Sequence, residues 1–475
     1  MECWLEHFAT THFGGARLGD SRLTKRLIAS ADRIARRPGG SLPDKMQSPK
    51  DLKGLYRLMN NNKVTHRGVT QPHFERTRAA IAQHHGTTLI VHDTTELDFT
   101  AKRSLHDDLG QLSDGKTRGL LCHNSIAVTA EGQPLGLANQ ILHARPQRAK
   151  TDTRAQRRAD PARESRLWVK GRRCIGTFAP DKRVVDVCDR GGDSFEFLDY
   201  EHANQQRYLV RAYINRVCRV GHGAGGAMTK LCEHLRSLPA QGQRRLDVPA
   251  VPRSKRHPAR PGRVTSVCVA WAELTLRPPP PGQARGEHRQ EPLAIWGIRV
   301  WEPHPPEGAL AVEWLLLSNE PVTTLSQAWE KVDWYELRWP TAEEYHKGQK
   351  TGCAIEGPQF TTAGALKPMI GLLSVVAWLL MRLRYEGRKA EAQQQPAAAV
   401  VPAEWVEALS VWRHGEACPQ WSTGEFLLAL ARLGGHQNRK GDGLPGWQTL
   451  WKGWMKLHTH LDFTARLRPP KCGQT

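Results

Sequence analysis

Residues 334–353, WYELRWPTAEEYHKGQKTGC, have the charge density of an exposed helix around a central proline. Glu343 and Lys350 stand seven residues apart, nearly two helical turns. A helix would therefore set a carboxylate and an ammonium on one face. Two more acidic residues follow apolar runs: Asp93 after TTLIVH and Asp189 after RVVDVC. If both runs are strands and neighbours, the two carboxylates emerge at one edge of a sheet. Hard oxygen ligands of this kind suit Mg2+ or Mn2+. Two such ions, roughly 3.5–4 Å apart, can activate a water or hydroxyl and stabilise the leaving oxygen of a phosphodiester. Glu343 would complete the set from its helix. Acidic residues at strand ends are common, so spacing alone leaves this chemistry and an ordinary structural role both open.

The elements that must position these groups are spread over 475 residues, enough for two or three domains. Hydrophobic residues are 39% and charged residues 24%, the balance of a soluble globular protein. The net charge of +21 calls for an acidic partner, and nucleic acid is the commonest. Ten cysteines without a CxxC pair speak against a zinc module or a disulfide framework. The start, MECWLEHFATTHF, shows no basic and apolar leader pattern. The best apolar run, MIGLLSVVAWLL (369–380), is short for a bilayer span and reads as a buried core helix. The expectation is a reduced, cytoplasmic protein, associated with the nucleoid when bound to DNA.

Residues 18–37 read as a helix capped by Asp20, with Leu23, Leu27, Ile28, Ala31 and Ile34 as its apolar stripe. Arg22, Lys25 and Arg26 lead its basic remainder, and RRPGG stops it. A second helical pattern spans 49–60, with Leu52, Leu55, Tyr56 and Met59 inward. Together they make a helical module with a basic surface. The middle changes period: within 87–97 a short strand that Asp93 closes, a hairpin about Glu131-Gly132, a strand running into Asp189, and another at 207–213. A basic excursion, 144–173, separates the hairpin from the strand before Asp189. A β-rich insertion follows, its strands parted by the exposed Pro/Arg-rich pieces VPRSKRHPARPGR and PPPPGQARGEHRQEP. KAEAQQQPAAAVVPAEW (389–405) reads as a linker. The tail places Trp447, Leu450, Trp451 and Trp454 at helical spacing, as a core or helix–helix contact.

Six motifs in order, RLGDSRLTKRL, VHDTTEL, VCDRGGD, WLLLSNEPV, YELRWPTAEEYHKGQKTG and LWKGWMKL, carry a resemblance over nearly the full length. The chain resembles the bacterial cut-and-paste transposases of the insertion-sequence-four family, in particular their transposon-five branch. The resemblance implies an α/β multidomain protein. Residues 1–64 would be a helical DNA-end-binding domain. Residues 65–388 would be an RNase H-like catalytic core with a β-rich insertion at about 214–312. Residues 389–475 would be a linker and a helical dimerisation domain. It implies a catalytic metal site of Asp93, Asp189 and Glu343 holding two Mg2+ or Mn2+ ions. Tyr335, Arg338 and Lys350 would hold DNA phosphates, Arg211 would join them, and Trp314 would stack near a base flipped from the element's end. The implied activity binds terminal inverted repeats of double-stranded DNA and cleaves them by hydrolysis and transesterification through a hairpin. It then joins the 3′ ends to target DNA, in a DNA-bound homodimer with no membrane involved.

One departure bears on that assignment. The family leaves three residues between arginine and glutamate; here WPTA places four between Arg338 and Glu343. Family spacing lands on Ala342, whereas spacing back from Lys350 selects Glu343. Proline fits best at a helix start, so Pro340 is expected to open a fresh segment and absorb the extra residue. The alternative is a catalytically decayed or inhibitory protein that binds DNA ends without cutting them.

Overall fold

The computed structural model describes residues 6–146, 153, 156, 159–222, 225–248, 250, 261–280, 287–418, 420–439 and 442–467. Part of the basic excursion, most of VPRSKRHPARPGR and the middle of PPPPGQARGEHRQEP lie outside the described residues.

The chain begins with α1 (Phe8–Phe13), α2 (Ser21–Arg36), α3 (Leu42–Met46) and α4 (Pro49–Met59). Local chemistry sets their starts. Asp20 accepts the Arg22 amide, Ser41 and Asp44 form a reciprocal capping box, and Ser48 with Pro49 opens α4. Leu27, Ala31 and Ile34 of α2 are buried, as are Leu55, Leu58 and Met59 of α4. Leu52 and Tyr56, expected inward, are only half-buried. Helix α5 (His66–Gln83) then leads to the sheet.

The strands are β1 (Thr88–Asp98), β2 (Gly110–Gln111), β3 (Arg118–Thr129), β4 (Pro134–His143), β5 (Val184–Cys188), β6 (Arg207–Arg211), β7 (Val217–Val220), β8 (Met228–Lys230), β9 (Gly242–Val248), β10 (Arg263–Leu276), β11 (Leu293–Trp301) and β12 (Glu313–Ser318). Helices α6 (Leu167–Ile175), α7 (Phe195–Ala203) and α8 (Leu231–Ser237) lie among them. The turn between β3 and β4 falls at the expected hairpin, with Gly132 at φ 85°. One sheet runs β2-β3-β1-β5-β6-β12-β11-β10-β7-β8, with β4 added on β3 and β9 on β10. β1 is antiparallel to β3 and parallel to β5, and β5 is parallel to β6. The β-rich insertion is continuous with this sheet, because β11 pairs with β12 and β12 with β6.

After the sheet come α9 (Leu325–Lys347), α10 (Ala363–Arg388), α11 (Ala403–His414), α12 (Thr423–Leu433) and α13 (Trp447–Leu467). Helix α10 is long and apolar enough to cross a membrane, but 83% of its most apolar window is buried in the fold. The residues read as a linker make short turns that bury Ala397, Val400 and Val401. Trp451 and Trp454 of α13 are buried too. Trp454 Nε1 donates to the Ala35 carbonyl at 3.1 Å, and Arg37 pairs with Asp462 at 2.6 Å. The tryptophan stripe thus faces its own chain and ties the C-terminal helix to α2.

Candidate active site and nucleic-acid interface

The parallel pairing of β1 with β5 ends at the pair His92–Cys188. The next residue on each chain is acidic, Asp93 and Asp189. The expectation that Asp93 closes its strand is corrected: β1 continues to Asp98, held by β3, and only its parallel neighbour stops. Asp189 does leave the sheet. It caps the turn Arg190–Gly192, its Oδ1 accepting the Gly191 amide at 2.9 Å. Asp93 Oδ1 accepts the Thr94 amide at 2.8 Å, and Asp93 Oδ2 accepts from Arg338 Nη1 at 3.0 Å. Burial raises the pKa of both carboxyls; for Asp189 the Asp93 charge raises it further, while Arg338 opposes the rise in both. Burial would lower the Arg338 pKa, but Tyr335, Asp93 and Asp189 together hold it above its ordinary value.

An aromatic wall continues from this arginine. Its guanidinium lies 5.7 Å from the Tyr335 ring, and Trp314 meets Tyr335 edge-on at 5.4 Å. Arg211, at the end of β6, donates to the Glu313 carbonyl at 3.0 Å, and its charge acts on Asp189. Five of the expected site residues, Asp93, Asp189, Arg338, Tyr335 and Trp314, thus form one continuous chain of contacts and charge coupling, with Arg211 beside it.

Glu343 and Lys350 are arranged differently. Helix α9 is capped by Thr324 and Gln327 and runs unbroken through Pro340, so no fresh segment opens there. The irregularity comes later, as a π-turn over Gly348–Gly352 closed by the Cys353 amide on the Gly348 carbonyl at 2.7 Å. At about 100° per residue, Ala342 lies about 40° round the helix from Arg338 and Glu343 about 140°. Ala342 is buried and Glu343 half-buried. Among the described residues no group of three or more His, Cys, Asp or Glu stands ready to hold a metal ion. Asp93 and Asp189 are brought together; Glu343 is not gathered with them. Lys350 pairs with Glu356 at 3.4 Å rather than with Glu343.

The donor chemistry of the Asp93–Asp189 pair still fits a divalent cation. Two half-buried hard carboxylates repel each other, and a single guanidinium serves both.

Beneath Asp93 lies a buried polar network that sequence reading missed. His92 joins Asp186 Oδ1 at 2.7 Å through Nε2 and Ser125 Oγ at 3.0 Å through Nδ1. Arg172 Nε donates to Asp186 Oδ2 at 2.8 Å. Glu201, wholly buried beside Asp186, is held well above the carboxylate range by burial and by that neighbour. His123 meets Thr94 Oγ1 at 2.8 Å. The signal was present: an aspartate inside VVDVC, and a histidine ending an apolar run, are costly in a core unless they meet.

On α2, Arg22 is exposed and chelates Asp20 at 2.8 Å, and Lys25 is exposed. Arg26 is tied across to Asp51 at 3.6 Å, beside Arg33 at 2.9 Å, and lies over Gly54. Residues 5–64 match the family model for transposase DNA-binding domains. The match supports a DNA-binding transposase with DNA as its partner; it covers 60 of the 475 residues and stops between α4 and α5.

Proposed function

We propose that the chain is a cut-and-paste transposase that binds its element's ends through residues 1–64 and cleaves DNA at Asp93 and Asp189. The observation that carries the reading is the meeting of these carboxylates just beyond the last parallel pair of β1 and β5, with Arg338 across them. The strand order β4-β3-β1-β5-β6, antiparallel for three strands and then parallel, supports an RNase H-like core.

Asp93 and Asp189 would hold Mg2+ or Mn2+, two ions when the set is full. The bound ions would supply an activated water or 3′-hydroxyl and a charge against the leaving oxygen. Glu343 would join the ligand set if, on DNA, α9 bent at Pro340, where the backbone lacks one helical hydrogen bond. Arg338, Lys350 and Arg211 neutralise phosphate charge. Tyr335 and Trp314 offer a face on which an unpaired base can stack. His92 is wholly buried, with both its ring nitrogens hydrogen-bonded. Strand joining at both ends calls for two copies bridged by DNA.

The test uses end-bearing DNA with Mn2+. Asp93→Asn, Asp189→Asn and Glu343→Gln should each lower nicking by about three orders of magnitude, about 4 kcal/mol in the barrier. End binding should stay nearly intact. Retained nicking in either aspartate variant overturns the assignment. A second reading, an end-binding protein that never cuts, is favoured by the placement of Glu343 about 140° from Arg338. It predicts wild-type binding with no nicking in any buffer.

A further inference from the structure

We infer that Arg338 is an internal counter-cation that a divalent cation and a DNA phosphate displace together. The inference rests on the proposed metal role of Asp93 and Asp189. Arg338 Nη1 contacts Asp93 Oδ2, one of the two oxygens open to a metal, while Asp93 Oδ1 accepts the Thr94 amide. The side chain is 9% exposed, and its charge acts on both aspartates. A guanidinium and a divalent cation cannot share that oxygen without strong repulsion. One must leave as the other arrives.

The guanidinium is incompletely satisfied where it lies: Arg338 Nε is buried without a hydrogen-bond partner. A phosphate accepts the arginine fork through two parallel bonds, so moving to DNA recovers that donor. A path is marked. The guanidinium lies between the rings of Tyr335, at 5.7 Å, and Trp339, at 5.8 Å, and Trp339 is 53% exposed. Neighbouring cations are poorly placed to substitute. Lys350 pairs with Glu356, Arg211 donates to the Glu313 carbonyl and reaches Asp189 only through its charge, and burial pushes the His346 pKa down to about 3, which leaves that ring neutral. The consequence is reciprocal coupling. DNA drawing Arg338 away strengthens metal binding, and metal strengthens DNA binding by the same factor. Without DNA, the site discourages metal loading.

The experiment titrates Mn2+ into the DNA-free full chain, reading free Mn2+ by paramagnetic resonance, and repeats it with a mixed-sequence duplex bearing free 3′ ends. Arg338→Ala should bind Mn2+ about tenfold more tightly than wild type without DNA, and Arg338→Gln, which preserves bulk, should do the same. The duplex should tighten wild-type binding about tenfold and change the Arg338 variants less than threefold. Equal affinities in wild type and both variants, lost in an Asp93→Asn, Asp189→Asn double variant, overturn the exchange and leave the metal site standing. Binding that survives in the double variant, or is absent from every protein, overturns the metal reading and the exchange with it.

Discussion

Pro340→Ala tests whether the straight helix α9 is a resting shape. Proline at 340 leaves the Glu336 carbonyl without its helical donor and sets a ring against the preceding turn. In a helix interior alanine is favoured over proline by about 3 kcal/mol. Two losses offset this. The unfolded chain regains freedom worth about 0.7 kcal/mol. The half-buried ring gives up apolar contact of about one methylene, about 0.8 kcal/mol. The variant should therefore be more stable by about 1.5 kcal/mol. With an unfolding entropy of about 2.1 cal/mol/K per residue over 475 residues, the melting temperature should rise by about 1.5 °C if the chain unfolds as one unit. The straighter helix should also hold Glu343 further from Asp93 and Asp189. Nicking in Mn2+ should fall at least tenfold while binding of end DNA is unchanged. Calorimetry and a supercoiled-plasmid nicking assay read the two effects. A variant that gains stability and nicks as fast as wild type refutes the bending step, and a variant that loses stability refutes the account of Pro340 itself.

Trp454→Ala should destabilise the chain by about 3–5 kcal/mol, measured by denaturant unfolding. The ring is fully buried, lies 5.0 Å from Trp405 and donates to Ala35. His458 is held at about 3, mainly by burial, against an ordinary value near 6.5. The unfolded chain therefore takes up the proton first. The stability His458 provides is complete above about pH 6.5 and is lost as pH falls toward 3. His458→Leu should flatten that part of the pH profile, and an unchanged slope would show that the side chain titrates freely. Lys25→Ala should weaken binding to end and non-end DNA alike. It should also reduce the log–log salt slope by about one; an effect confined to end DNA would show that Lys25 reads bases.

The legible parts of the sequence were those governed by neighbours in the chain. Asp20, Ser41 and Ser48 announce helix starts because a cap needs only the next few amides. Glu131-Gly132 announces a hairpin because only a glycine-tolerant turn reverses the strand there. The apolar runs before Asp93 and Asp189 read as strands, and their adjacency could be posed as a condition. That the condition holds depends on a crossover through α6, which no local pattern encodes. The buried set His92, Ser125, Arg172, Asp186 and Glu201 was illegible as a set, because its members come from separate elements and only pairing makes their burial tolerable.

Pro340 shows the limit from the other side. Proline argues for a helix break on local grounds, yet Val332, Tyr335, Arg338, Ala342 and Tyr345 bury one face of α9 on both sides of it. Packing along that face outweighs about 3 kcal/mol of local penalty, so the helix continues. With the helix continuous, the extra residue before Glu343 is left as rotation, and rotation decides which acidic residue can reach Asp93 and Asp189. The extra residue that the family resemblance implies is therefore the point on which the proposed catalysis turns.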